Sequence, residues 1–368
     1  MKDFETYIHS LIEKGITPGI SLLVGKGDEI LFKNHYGFQS LYPHKEILEE
    51  NTLYDLASLT KPLITSLLTL YLLENDKTLN LETPIKKIFP ELPFDIRLVH
   101  LLTHSSGLPA WYPFYIYRDN PDDGYFPQMK SLHLESLPGE KVNYSCAGYI
   151  LLYYIIEKVT SISFKEMAKK IIIEPLKLKH TFLSLPENLK SLAAPTEKGN
   201  LFERQMALSA PEHKKAAGLF PWREEVIRGE THDCNSWYLG GTAGNSGLFS
   251  TTDDVFKLTQ EFFPASASIL TPESAQYFWK NFTPFDKSHR SIGFRRNSSL
   301  TITSAGKAFS REAIGHDGFT GTSLWLEPKT NYSFIILTNR IHPVVGNINF
   351  NKIRRKLARG AGVLFVEP

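Results

Sequence analysis

An α+β fold is predicted for this chain: an antiparallel sheet assembled from both ends of the sequence, flanked by terminal helices, with a mainly helical lobe inserted between them. Three observations carry that prediction. Two β-type runs, Gly19 to Val24 and Glu29 to Gly37, are separated by Gly25-Lys26-Gly27-Asp28, which is hairpin chemistry. A second such pair, Thr322 to Leu326 and Tyr332 to Thr338, lies near the other end and is split by Glu327-Pro328-Lys329-Thr330-Asn331. Between the pairs the pattern is mainly helical, over roughly 61–74, 97–103, 146–159, 164–172, 252–262 and 272–281. Residues 1–50 plus 290–368 are therefore expected to form one lobe and residues 51–289 the inserted one, with an active-site cleft where they meet.

Each element has a local reason. Phe4, Ile8, Leu11 and Ile12 make a helical stripe that Gly15 can terminate, which describes folded structure and not a signal peptide. Ile348 to Leu357 reads as a closing helix. Two stretches resist regular structure: Tyr112 to Gln128, with its Asp119-Asn120-Pro121-Asp122-Asp123-Gly124 core, and Ala193 to Asn245. Loops of that length are functional or disordered in compact chains, and residues 196–225 read equally well as a solvated excursion.

Composition narrows the function classes. The 368 residues are 42% hydrophobic, enough for a substantial core. With 41 Lys and Arg against 39 Asp and Glu the formal charge is +2, so no basic field marks a nucleic-acid partner, and Arg354-Arg355-Lys356 reads as a solvated helix face. The longest apolar stretches, Leu63 to Leu73 and Tyr149 to Ile156, fall far short of the roughly 20 residues that span a bilayer. Cys146 and Cys234 exclude a disulfide framework and leave a single bridge open. A cytoplasmic location is expected if the sequence is the complete gene product, and a periplasmic or extracellular one if an export signal has been removed. The oligomeric state is not legible.

The chemistry begins at Asp55-Leu56-Ala57-Ser58-Leu59-Thr60-Lys61-Pro62, which runs into an apolar helix. Ser58 and Lys61, three apart at a helix start, share a face with Cβ atoms roughly 5–6 Å apart, and Pro62 is tolerated only in a first turn. A hydroxyl there sits at the positive end of the helix with an amine beside it, able to take its proton if burial or nearby cations lower the amine pKa. Ser304 and Lys307 repeat the spacing, but in a polar stretch with no apolar run after it. Tyr144, just before a Leu/Ile/Tyr-rich helix, offers a phenol that could shuttle a proton if a cation such as Lys61 lowered its pKa. Gly315-His316-Asp317-Gly318-Phe319-Thr320-Gly321 opens into a strand; its glycines permit close backbone approach, so a strand N–H could complete an oxyanion hole with the N–H of Ser58.

Taken in order, Ser58-Leu59-Thr60-Lys61, Tyr144-Ser145-Cys146 and His316-Asp317-Gly318 resemble the serine β-lactamase and penicillin-binding-protein superfamily. Leu101 to Leu108 and Gly240 to Asp254 are similar to further loops of that family, so the resemblance covers nearly the whole chain. Tyrosine in the second motif points to the branch of class C β-lactamases, DD-carboxypeptidases and family VIII esterases. The resemblance implies a β-lactamase/transpeptidase-like fold and a serine hydrolase acting through an acyl-enzyme on an ester, amide or D-amino-acid peptide. It implies Ser58 as nucleophile, Lys61 and Tyr144 as the proton-transfer pair, and the Ser58 and Phe319 N–H groups as oxyanion hole. Cys146, His316, Gly318 and His232 are then candidate substrate contacts.

Two departures stand out. Cys146 occupies a place often held by asparagine and is a poorer hydrogen-bonding group. His316-Asp317-Gly318 replaces Lys-Thr-Gly, exchanging a permanent charge for one that titrates near pH 6.5. No cofactor or metal is expected, because His232-Asp233-Cys234 in direct succession lacks ligand spacing; a buried His–Asp contact is the plainer reading there. His100 and His104 are expected to pack or cap near Ser105-Ser106-Gly107. The partner is a small-molecule or peptide-like substrate; the other reading is a catalytically weak binding or scaffold protein that keeps the fold.

Overall fold

The computed structural model describes residues 1–118, 124–298 and 300–366, so the Asp119–Asp123 part of the expected 112–128 loop lies outside the described residues. The strands among them are β1 (Gly19–Lys26), β2 (Glu29–Ser40), β3 (Glu46–Ile47), β4 (Tyr54–Asp55), β5 (Phe182–Leu183), β6 (Leu248–Ser250), β7 (Arg295–Arg296), β8 (Ile314–Asp317), β9 (Ser323–Glu327) and β10 (Tyr332–Leu337). Seven form one antiparallel sheet in the order β3-β2-β1-β10-β9-β8-β7, so both hairpins expected from the sequence join along the β1–β10 seam, where Ser21 faces Leu337. The α+β class is as expected.

The two-residue period of the strands sorts their side chains into two cores. Ile20, Leu22, Val24, Trp325, Phe334 and Ile336 point to one face. There they meet Phe4, Ile8 and Leu11 of the Lys2–Glu13 helix and Phe350, Ile353 and Leu357 of the Phe350–Ala361 helix. Leu23, Leu324, Leu326, Ile335 and Leu337 point the other way, into a larger core with the apolar run that ends in the Leu67–Asn75 helix and with the Cys146–Thr160 helix. A small second sheet, β4-β6-β5, pairs Tyr54 with Ser250 and Asp55 with Phe249, pinning the segment before Ser58 to the glycine-rich 240–254 segment.

Two expectations need correction. Residues 196–225 do not lack regular structure: largely solvent-facing, they hold the Leu201–Ser209 and Lys214–Leu219 helices, and Lys198 N–H donates to Pro343 O at 2.8 Å. Their apolar pattern is weak because each helix buries only one or two side chains, Glu203 and Ala207 in the first and Ala217 in the second. Nor is the Arg354-Arg355-Lys356 run a uniformly solvated face. Successive helix residues point in different directions, and Arg354, 5% exposed, turns inward to donate to Gly318 O and Thr322 O at 2.7 and 2.8 Å.

Candidate active site

Ser58 lies in a 3-10 turn, Ala57–Leu59, followed by continuous helical backbone from Lys61 to Asn75. Ala57 holds φ +49°, a region that costs an L-residue about 1–2 kcal/mol. Its surroundings impose that turn. Buried Asp55 accepts Ala57 N–H through Oδ1 at 2.8 Å and His232 N–H through Oδ2 at 2.9 Å. Thr60 Oγ1 donates to Ala57 O at 2.7 Å and accepts Leu248 N–H at 3.1 Å. Burial raises the Asp55 pKa despite the two N–H donors that favour its carboxylate.

Lys61 is fully buried, and its ammonium has three neighbours: Ser58 Oγ at 3.0 Å, Asn245 O at 2.9 Å and Cys146 Sγ at 3.5 Å. The Tyr144 ring centroid lies 5.0 Å from Nζ. Burial alone would lower the Lys61 pKa, but Cys146 and Tyr144, whose ionised forms favour the ammonium, carry it above its ordinary value. The lowered pKa on which proton uptake by Lys61 alone was made conditional is therefore not found. Burial likewise raises the Tyr144 phenol, against the pull of Lys61 and of side-chain bonding to Lys61 and Ser58. Burial also raises the Cys146 thiol, against the pull of Lys61. Cys146 and Cys234 are both free.

The β8–β9 turn meets Ser58 from the other side. Thr320 Oγ1 donates to Asp55 O at 2.8 Å and Thr322 Oγ1 to Leu56 O at 3.0 Å, bolting the turn to the residues just before the serine. The contact is close enough that a Cβ on Gly318 would stand 2.7 Å from Leu56 O. Gly318 and Phe319 are brought to the cleft in this way. His316 is buried, its ring 5.7 Å from that of Tyr144, with Nδ1 bonded to Asp317 O at 3.0 Å and Nε2 unpartnered. Burial, then Lys61 and Arg290, push its pKa well below 6.5. It is a neutral imidazole, contrary to the expected titration near 6.5. Asp317 points away, as strand alternation requires, to Ser304, Ser323 and Arg354. Ser304, of the second serine–lysine pair, also accepts Trp325 Nε1–H at 2.8 Å and lies away from Ser58 in this network.

His232 lines the cleft wall but is tied elsewhere. Its Nε2 lies 2.9 Å from buried Glu197 Oε2 and its ring stacks on Phe319 at 5.4 Å. The acidic partner is thus Glu197, distant in sequence, and not the adjacent Asp233, which caps the Cys234–Tyr238 helix at Ser236 N. His104 packs as expected: its Nδ1 accepts Ser145 N–H at 3.0 Å, and its ring lies 4.4 Å from Tyr144 and 5.0 Å from Tyr149.

Ser58 and Tyr144 separate two cavities. One, about 460 Å3, runs along β8 and contains residues no motif announced, Arg290, Arg295 and Arg340. The other, about 240 Å3, has an apolar wall of Trp111, Phe202, Met206 and Phe319 and reaches Cys146 and Asp233. Among the described residues no three His, Cys, Asp or Glu side chains converge as a metal site.

The Beta-lactamase family profile matches residues 4–357. The chain belongs to the β-lactamase family. Membership makes it a hydrolase of the β-lactamase and penicillin-binding-protein superfamily. This family member is 29% identical over 380 residues to a putative D-alanyl-D-alanine carboxypeptidase of Salmonella heidelberg (strain SL476), covering 94% of this chain and 84% of that one. In fold it is similar to EstCE1, a hydrolase with promiscuous acyltransferase activity (TM-score 0.72, 18% identity, 98% of each chain). It is also similar in fold to a class C β-lactamase (TM-score 0.71, 17% identity, 99% of this chain and 96% of that one). Among the described residues no helix is long and apolar enough to cross a membrane.

Proposed function

We propose that this β-lactamase-family protein is a serine hydrolase that forms an acyl-enzyme at Ser58 on an ester, amide or D-amino-acid peptide. The observation that carries the reading is the buried Lys61 ammonium 3.0 Å from Ser58 Oγ, with the Tyr144 ring centroid 5.0 Å from the same ammonium. Because both pKa values are raised, neither group is a base alone; they titrate as a pair. A pair lacking one proton, written as neutral lysine with phenol or as ammonium with phenolate, accepts the Ser58 proton as Oγ attacks the carbonyl carbon. The tetrahedral oxyanion is held by the N–H groups of Ser58 and Phe319, for which the bolted Gly318 turn supplies the rigidity. The pair returns the proton to the departing oxygen or nitrogen, and water repeats the sequence to free the acid. The apolar wall of the smaller cavity suits an acyl chain, and the relative's carboxypeptidase name supports D-amino-acid peptides as one substrate class.

Intact mass after incubation with a fluorophosphonate, and separately with a penicillin, tests the assignment. A covalent gain lost in Ser58→Ala is expected from at least one probe. No adduct with either would leave the fold as that of a binding or scaffold protein.

A further inference from the structure

The β8 side of the cleft holds more positive charge than one carboxylate can use. Arg290, Arg295 and Arg340 line the same cavity as Ser58. Arginine ion pairs among the described residues involve Arg97, Arg223, Arg228 and Arg354, and none of these three. The Nε of each is buried without a partner. Arg290 is 8% exposed and its guanidinium lies 5.7 Å from the Tyr144 ring centroid. That of Arg340 lies between the rings of Phe319, at 5.4 Å, and Phe350, at 5.5 Å. Arg295 donates once, to Thr301 Oγ1 at 3.0 Å. The fourth arginine, Arg354, is already engaged with Asp317, Gly318 O, Thr322 O and Asn351, and Asp317 is the cavity's carboxylate.

Arg290 is buried and Arg295 and Arg340 are half-buried, and a desolvated cation with no ion-pair partner destabilises a fold unless something compensates it. Burial lowers Arg290 and Arg340 to about 10, which still leaves them protonated at neutral pH. His316, being neutral, neither adds to nor offsets the charge. Asp286 acts on Arg290 and Asp317 on Arg295 only from beyond ion-pair distance, so three guanidinium groups around one cavity are left without a direct anionic partner. A single carboxylate engages one fork bidentately or bridges two, and leaves at least one uncompensated.

We propose that this cavity receives a leaving group carrying two negative charges, a dicarboxylate or a phosphate monoester, on an ester or amide whose apolar acyl group lies toward Trp111 and Phe202. The proposal rests on the acyl-enzyme reading above. In the step itself the Ser58 Oγ–carbonyl bond forms and the bond from carbonyl carbon to leaving oxygen breaks. The proton taken from Ser58 passes to that oxygen, so the dianion departs as a free alcohol with its charge unchanged.

The test compares kcat/KM for four butyryl esters that differ in the alcohol: methyl glycolate (neutral), glycolate (one charge), malate (two) and 2-hydroxyethyl phosphate (two). A dianionic ester should exceed the glycolate ester at least tenfold at about 50 mM salt, with the advantage shrinking as salt is raised. Whether malate or phosphate leads identifies the source. Arg340→Gln should cut the ratio of dianion to monoanion several-fold, and Arg340→Lys should restore part of it. Independently of any variant, inorganic phosphate and malate should inhibit turnover of the neutral ester more strongly than acetate does at matched ionic strength. Equal kcat/KM for mono- and dianionic esters, or equal inhibition by acetate, malate and phosphate, overturns the proposal while Ser58-dependent turnover of the neutral ester stands. Loss of that turnover together with Ser58 labelling would instead remove the acyl-enzyme reading.

Discussion

Gly318→Ala tests whether the β8–β9 turn is an organ of catalysis or only a strand connection. A Cβ at this position would meet the backbone oxygen of Leu56 at 2.7 Å and run into Thr322 Oγ1. Ordinary contact begins near 3.4 Å, so the turn must retreat from the Ser58 segment by roughly 0.7 Å. Neither obstacle yields easily: Leu56 O belongs to the backbone that leads into Ser58, and Thr322 is held by its bond to that same oxygen. Overpacking of this kind costs about 1–3 kcal/mol. The shift also moves the Phe319 N–H off the oxyanion position proposed for it, and one lost donor of that kind is worth about 10²–10³ in kcat. The expected result with p-nitrophenyl butyrate is a fall in kcat of about 100-fold, little change in KM, and a Tm lower by a few degrees. Thr322→Ala in the same chain should not rescue it, because the Leu56 O clash remains. A Gly318→Ala protein with wild-type kcat and Tm would show that Phe319 N–H takes no part and that the turn is looser than its hydrogen bonds indicate.

Asp55→Ala leaves the buried N–H groups of Ala57 and His232 without acceptors, each worth about 1–3 kcal/mol. Removing a carboxylate that burial disfavours returns part of this, so a net loss of about 2–4 kcal/mol is expected by denaturant unfolding, together with lost activity; an unchanged midpoint would refute the anchoring role. His104 and His316 both have pKa values well below 6.5, so on the acid side of 6.5 the unfolded chain binds more protons than the folded one. Stability should therefore be intact above about pH 6.5 and fall as pH drops, more shallowly in His316→Gln, as Tm measured from pH 7 to 5 will report. For the same reason kcat/KM for matched neutral and anionic esters should run parallel from about pH 6 to 8.5, and an inflection near 6.5 seen only with the anionic ester would mean that His316 is charged in the cleft.

The features legible in the sequence are those whose cause is local. Hairpin glycines, the apolar stripe of Phe4, Ile8 and Leu11, and the run after Pro62 each declare an element from a few neighbouring residues. Ser58 and Lys61 show their relation through spacing alone. What was not legible depends on residues far apart in the chain. The His316 pKa depends on burial and on Lys61 and Arg290, none of them near it in sequence. Arg290 and Arg340 sit in no motif and become neighbours of Ser58 only when the sheet forms. Glu197, the actual partner of His232, lies 35 positions upstream, and the adjacent Asp233 was the nearer but wrong candidate.

The seam between β1 and β10 dictates when this protein can begin to work. Ser21 cannot find Leu337 until more than 300 further residues exist, and only the short strands β9, β8 and β7 lie beyond β10 in the sheet. At a synthesis rate of about 5–20 residues per second the first hairpin waits some 15–60 s with one edge bare. During that interval it exposes the unpaired backbone edge of β1 and the apolar Leu23, whose core partners Leu324, Leu326 and Ile335 are not yet made, the situation in which strands pair with the wrong chain. Output of active protein should consequently be limited by how well that nascent hairpin is shielded, and a circular permutant that joins the old termini and opens elsewhere would place β10 and β1 close in sequence and shorten the exposure.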